Sequence, residues 1–230
     1  MDPRDSRTRP SIWITDNDTS IIIDTSSDFR QQCLTHNITR LDGVVYTHHH
    51  FDHIAGFDDL RAFNYASGRP VPLFMTIETL HNIRQVFRYA FGQDEQNQSS
   101  IPLVDVTEID DNPLSIANIT FEPVPLAHGA MRVNGYRFGR AAYCTDCNAI
   151  PSTSFDLLHD LDVLILDALR LKPHPTHFTV DEAVAVAQRI GADRTYFTHI
   201  AHEILHETVQ ATLPFGIYLA YDGLTIDVQS

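Results

Sequence analysis

The chain has 230 residues, 43% of them apolar, and its 16 Lys and Arg set against 30 Asp and Glu give a formal charge of −14. A chain of this length buries enough surface to fold without disulfides, and its composition excludes wholesale disorder. The acid excess argues against a non-specific nucleic-acid or anionic-membrane binder, which needs Lys and Arg to meet phosphate.

In chain order, Ile12-Trp13-Ile14 and Ile21-Ile22-Ile23 read as strands of a hairpin turned at Asp16-Asn17-Asp18. Residues 42–47 read as a strand that ends abruptly in histidines. The spacing predicts a helix over residues 56–64 and a longer one over 76–91, with Ile77, Leu80, Ile83 and Phe87 on one face. Residues 93–100 are polar and read as a mobile loop. Strands follow near residues 101–106, 119–126 and 136–143, then a helix near 154–159 and a buried strand over 163–166. Thr179-Val180-Asp181-Glu182 is a capping box opening a helix that Gly191 ends, and residues 195–198 form the next strand. Residues 216–220 and 224–228 read as a closing hairpin turned at Tyr221-Asp222-Gly223. Strands and helices interleave without linker, repeat or low-complexity stretch, so one α/β domain over residues 1–230 is expected.

Cys33, Cys144 and Cys147 are an odd count with no disulfide framework, which points to a reducing compartment. No uncharged apolar run reaches the ~18 residues of a membrane span. The polar start lacks the apolar segment of a signal peptide. The expected location is cytoplasmic.

Histidine is the unusual component of the composition, with 13 copies that ask for a metal or a proton-transfer site. Four of them crowd into Thr47-His48-His49-His50-Phe51-Asp52-His53, directly after a strand. In an extended turn His48 and His50 project the same way, and His49 the other. Imidazole is a good ligand for Zn²⁺, and carboxylate suits harder ions such as Mn²⁺. Two adjacent metals would need two His on one side with an Asp-His pair just beyond. His128, Asp146 and His199 also stand at predicted strand ends, and His202 lies three residues after His199.

Thr47-His48-x-His50-x-Asp52-His53 resembles the signature of the metallo-β-lactamase superfamily, and the order of His128-Gly129, Asp146 and Phe197-Thr198-His199 matches its remaining metal motifs. The resemblance is nearest to the phosphodiesterase branch of cyclic phosphate phosphodiesterases, ribonuclease Z and the pyrroloquinoline-quinone biosynthesis protein B. It is carried by Asp24-x3-Asp28-Phe29-Arg30, by residues 52–61, by Asp167-Ala168-Leu169-Arg170-x3-His174-Pro175-Thr176-His177 and by residues 219–223. The fold it implies is α/β, an αββα sandwich of two mixed sheets between outer helices. It implies a binuclear-metal hydrolase that uses a hydroxide shared by two divalent ions, Zn²⁺ or Mn²⁺. One ion would be held by His48, His50 and His128, and the second by Asp52, His53 and His199, with Asp146 bridging. His199 is preferred to the rival His202 because it sits directly at the strand end. Asp52 and His177 are the expected catalytic positions, His177 matching a non-ligand histidine that serves the leaving oxygen or the charged phosphorane.

The chain departs from the branch in two places. The usual N-terminal Gly-rich strand and turn are missing before Asp2-Pro3-Arg4, which would expose a sheet edge that a second subunit could cover as a homodimer. Cys144-x-x-Cys147 has the spacing of a redox dithiol, but Asp146 between them makes two strand-end thiols the expected reading. The scattered Arg61, Arg69, Arg84 and Arg88 and the acid excess do not supply a tRNA-binding footprint. The expected substrate is therefore a small phosphodiester, such as a cyclic ribose phosphate. The alternatives are a lactone or thioester hydrolase using the same hydroxide, and a metal-dependent carrier or cofactor-pathway protein that hydrolyses nothing.

Overall fold

Asn17, in the left-handed conformation at φ 50°, helps turn the chain between β1 (Ile12–Asp16) and β2 (Thr19–Ile23), which pair antiparallel as the sequence predicts. The computed structural model describes residues 2–92 and 101–228. The predicted loop over 93–100 lies outside the described residues. Then come α1 (Phe29–His36), β3 (Gly43–Val45), α2 (Phe51–Ile54), α3 (Arg61–Ser67), β4 (Val71–Met75), α4 (Ile77–Val86), β5 (Val104–Glu108) and β6 (Leu114–Ile116). The rest of the chain forms β7 (Ile119–His128), β8 (Met131–Phe138), β9 (Ala141–Cys144), α5 (Ser152–Phe155), β10 (Val163–Asp167), α6 (Val180–Ile190), β11 (Arg194–Thr198), α7 (His206–Gln210) and β12 (Ile217–Leu219). Among the described residues, no helix is long and apolar enough to cross a membrane.

These elements form two compact units, one of residues 9–110 with 114–119 and the other of 1–8, 111–113 and 120–230. In the first, the sheet runs β1-β2-β3-β4-β5, with β2 to β5 parallel. β2 and β3 are buried along their whole length, and Ile21-Ile22-Ile23 beside Val44-Val45 has the apolar continuity of a parallel sheet covered on both faces. Ile22, Val44, Leu73 and Met75 pack with Phe29, Phe57, Leu60 and Ile83. Gly56 permits a close approach: a Cβ there would lie 2.5 Å from the Ser26 carbonyl oxygen and 2.6 Å from Phe29 Cβ. Its N–H donates to the Thr25 carbonyl. The histidine-bearing segment is thus fastened to the segment that follows β2.

Three local expectations in this unit need correction. The helix predicted over 56–64 begins earlier, as α2, and continues as a 3-10 stretch (Ala55–Leu60) into α3. The helix predicted over 76–91 ends at Val86, and Arg88–Phe91 is a 3-10 turn. Ile77 is exposed while Leu80, Ile83 and Phe87 are buried. At about 100° per residue it stands roughly 60–120° around the helix from those three, at the edge of the buried face.

In the second unit, β9, β10, β11 and β12 are parallel, and β7, β8 and β9 are antiparallel, in the order β12-β11-β10-β9-β8-β7. α6 makes the crossover from β10 to β11. Thr179 and Glu182 form the reciprocal capping box, and Gly191 closes the helix at φ 73°. Its buried face of Val180, Ala183 and Ala187 joins Leu164, Leu166 and Phe197 in the core. The strand predicted over 136–143 is two strands, because Gly139 at φ 58° reverses the chain between β8 and β9. The closing hairpin does not form: β12 pairs parallel to β11, and residues 224–228 are not a strand. Ile217 and Leu219 are better placed in the core than across a terminal turn. Helices α1 and α7 and strands β4 and β6 were not expected.

Candidate metal and catalytic site

In the first unit, Ile23 of β2 is in register with Val45 of β3, and Val45 with Phe74 of β4. Chemistry collects just past these carboxyl ends, the common position for sites of parallel sheets. Asp24 follows β2 at once, with φ 65°, and is fully buried. One of its oxygens accepts the Thr47 N–H at 2.8 Å. The other accepts the Thr47 hydroxyl at 2.8 Å and faces His53 Nδ1 at 2.7 Å.

That geometry fixes proton positions. The Thr47 hydroxyl spends its only proton on Asp24, so toward His48 Nδ1, 2.9 Å away, it acts as acceptor. His48 and His53 therefore both carry their proton on Nδ1, and both present the Nε2 lone pair. Tethering through the second ring nitrogen is the usual way a protein orients an imidazole ligand. The His48 ring packs 4.6 Å from that of His50 and 4.3 Å from that of His53. His53 Nε2 lies 3.8 Å from Asp52 Oδ2. His48, His50, Asp52 and His53 are thus brought together within this unit, and the ring of His49 lies 5.8 Å from that of His50.

The second unit is built in the same way. Leu166 of β10 is in register with Cys144 of β9 and Phe197 of β11. One or two residues beyond that line stand Asp146, Asp167 and His199. Asp146 and His199 are left-handed, at φ 52° and 57°. Such residues cost about 1–2 kcal/mol each and persist where surrounding structure holds them. His199 Nε2 lies 3.3 Å from Asp146 Oδ1. His202 is exposed.

His128 ends β7 beside a two-residue turn in which Gly129 takes φ 63°. A Cβ on Gly129 would sit 2.9 Å from the Thr176 methyl. His128 Nδ1 donates to the Thr176 carbonyl at 2.8 Å, so this third imidazole also presents Nε2. The His177 ring lies 4.7 Å from that of His128 and stacks 4.8 Å from that of His199. His177 Nδ1 faces both oxygens of Asp167, at 3.1 and 3.3 Å, and its Nε2 lies 4.0 Å from Asp146 Oδ2. Burial pushes the Asp167 carboxyl up, opposed by the hydrogen bond to His177. Burial and the neighbouring His177 and Arg170 lower the pKa of His174, whose ring is 5.0 Å from His177.

Sequence reasoning assigned no role to Asp24, Thr47, Asp167 or the Thr176 carbonyl. Asp24 had a visible signal, an acid standing directly after the run Ile21-Ile22-Ile23. The carbonyl had none.

Residues 19–200 match the family model described as a beta-lactamase superfamily domain. The chain is 36% identical over 227 residues to a protein named octanoyltransferase from Porphyromonas gingivalis strain ATCC BAA-308 / W83, covering 97% of this chain and 45% of that protein. The chain thus spans about half the length of the curated relative it matches. Among solved structures, one described as a new diphosphatase from the PhnP family is 42% identical, with a TM-score of 0.92 over 99% of this chain and 87% of that one. The zinc-bound PqqB of Methylobacterium extorquens is 19% identical, with a TM-score of 0.74 over 96% and 88% of the two chains, a likeness of fold alone.

Proposed function

Because the chain belongs to the beta-lactamase superfamily, with two mixed sheets and helices of the metallo-β-lactamase fold, we propose that it is a two-metal hydrolase of a small phosphodiester or diphosphate. The observation that carries this reading is the 42% identity, along nearly the whole chain, to a diphosphatase. His48, His50 and His128 would hold one ion, and Asp52, His53 and His199 the other, with Asp146 shared. The donor set fits: His48, His53 and His128 each have Nδ1 tied to oxygen and so offer Nε2. Imidazole and carboxylate together suit zinc or manganese. When bound, two such ions supply positive charge to the phosphoryl oxygens and lower the pKa of water.

The protein's own groups do the rest. The attacking water would give up one proton to solvent, and His177 gives the proton from Nε2 to the leaving oxygen as that P–O bond breaks and the new P–O bond forms. Asp167 is a positioning residue that holds Nδ1 of that ring. The three cysteines are free and buried, which fits the proposed cytoplasmic location.

A second reading, hydrolysis of an acyl thioester with the same groups, draws on the octanoyltransferase name of the half-matched relative. Turnover of bis-para-nitrophenyl phosphate against an octanoyl thioester separates the two. Purified protein should hold close to two divalent ions per chain. His177→Ala should slow phosphate-ester turnover about 10²–10⁴-fold at unchanged metal content. Loss of an ion from that variant, or full activity in it, overturns the assignment.

A further inference from the structure

Arg9 is pinned through its backbone: its N–H donates to Asp28 Oδ2 at 2.8 Å and its carbonyl accepts from Gln32 Nε2 at 2.8 Å. Its side chain is left 56% exposed, with one guanidinium nitrogen 3.6 Å from Asp52 Oδ2. That separation is beyond hydrogen-bond reach, so the pair is held by Coulomb attraction and the planar donor fork stays open to other acceptors. The other arginine ion pairs described in this unit, Arg30–Asp59, Arg40–Asp42 and Arg61–Asp58, hold carboxylates outside the histidine motif.

An anionic substrate approaching a chain of charge −14 needs local positive charge. On the two-metal reading above, on which this inference rests, Asp52 gives its charge to an ion. The attraction that holds Arg9 against Asp52 then weakens, and the fork is free beside the reacting phosphate. Two ions neutralise a single diester charge readily, so a further cation matters most for a substrate with additional charge. We propose that Arg9 is a specificity residue that clamps the non-scissile phosphoryl group of a diphosphate. Guanidinium suits that task because it meets two phosphoryl oxygens at once.

The test uses the full, metal-loaded chain and two readouts. The first is calorimetric binding of inorganic phosphate; the second is the ratio of kcat/KM for a nucleoside diphosphate over bis-para-nitrophenyl phosphate. Arg9→Ala should weaken phosphate binding about 10–100-fold, the range for losing hydrogen bonds to a charged group. It should lower the substrate ratio to a similar degree, mainly through KM, with two ions retained. Arg9→Lys should restore part of both, since it returns the charge without the fork. Arg69→Ala, which makes the same change in net charge at an exposed position, should shift neither by more than about threefold.

Unchanged phosphate affinity in Arg9→Ala overturns the clamp. So does loss of an ion from that variant, which would make Arg9 a support for Asp52. If wild-type protein turns over neither phosphate compound, the hydrolase reading fails instead, and phosphate binding by Arg9→Ala still decides the clamp.

Discussion

Replacing Asp24 by Asn changes one atom's chemistry and should disturb both halves of the histidine motif. The Asp24 oxygen facing the Thr47 N–H can remain an acceptor. The other becomes an NH₂ group aimed at the Thr47 hydroxyl and His53 Nδ1, which are both donors in the native protein. Each must reverse. His53 then accepts on Nδ1 and moves its proton to Nε2. The Thr47 hydroxyl accepts from Asn and donates to His48 Nδ1, so His48 moves its proton to Nε2 as well. Two charge-assisted bonds of about 1.5–3 kcal/mol are exchanged for two neutral ones of about 1 kcal/mol, a net loss of about 1–4 kcal/mol in stability. The larger effect falls on metal binding, where losing an orienting partner typically costs 10–100-fold in affinity. His48 and His53 are proposed to serve different ions, so Asp24→Asn should weaken both by about that factor. Thr47→Val interrupts only the path to His48 and should weaken one ion alone. Competition with a chromophoric chelator reads the two affinities separately. If Asp24→Asn leaves both within threefold of wild type, Asp24 does not set the imidazole protons.

Two other expectations concern the second unit. A Cβ on Gly135 of β8 would lie 2.7 Å from the Tyr143 carbonyl oxygen and 3.0 Å from Leu126 Cδ1. Gly135→Ala should therefore cost roughly 1–3 kcal/mol and lower Tm by about 2–12 °C in a scanning calorimeter, and an unchanged Tm would refute the packing reading. Burial pushes the Cys144 thiol up to about 12 from an ordinary value of 9.0. The folded thiol keeps its proton where the unfolded one has lost it, so its stabilising contribution is complete below pH 9 and is lost as pH rises to about 12. Denaturant titration of wild type against Cys144→Ala should show an excess slope near 1.4 kcal/mol per pH unit across that window, and equal slopes would refute it. At pH 8 the native thiol should react with a disulfide reagent about 10³-fold more slowly than in denatured protein.

The elements that can be read from the sequence are those whose signal is local. The triple-isoleucine run of β2 and the Thr179–Glu182 cap need no tertiary information, and both form where expected. The misread elements are those in which tertiary packing overrides pattern. Residues 224–228 alternate like a strand, but β12 takes its partner from β11, far back in the chain. One short turn at Gly139 divides a run that alternation alone reads as continuous. The histidine cluster was visible because its residues are adjacent. What orients it was not, since Asp24 stands 23 residues before Thr47 and 29 before His53.

Backbone conformation was equally hidden, and it explains why both units build in the same way. Asp24, Asp146 and His199 each follow a parallel strand by one or two residues and each takes positive φ. Asp and His are among the residues that enter this region most readily. An extended continuation would carry the side chain onward along the strand direction, whereas a left-handed residue turns the chain there and keeps its side chain near the strand end. The strain of about 1–2 kcal/mol per position is compensated where the side chain is held. Asp24 is held by Thr47 and His53, and Asp146 by the Thr145 hydroxyl at 2.8 Å. For His199 the described neighbours are the Asp146 carboxylate and the His177 ring. A cation shared by Asp146 and His199 would tie the two strained residues to each other, so metal binding should stabilise the fold as well as supply chemistry. Chelation should then lower Tm by more in wild type than in Asp146→Ala, where the ion has lost its bridging ligand. Equal shifts would mean that this strain is held by the protein alone.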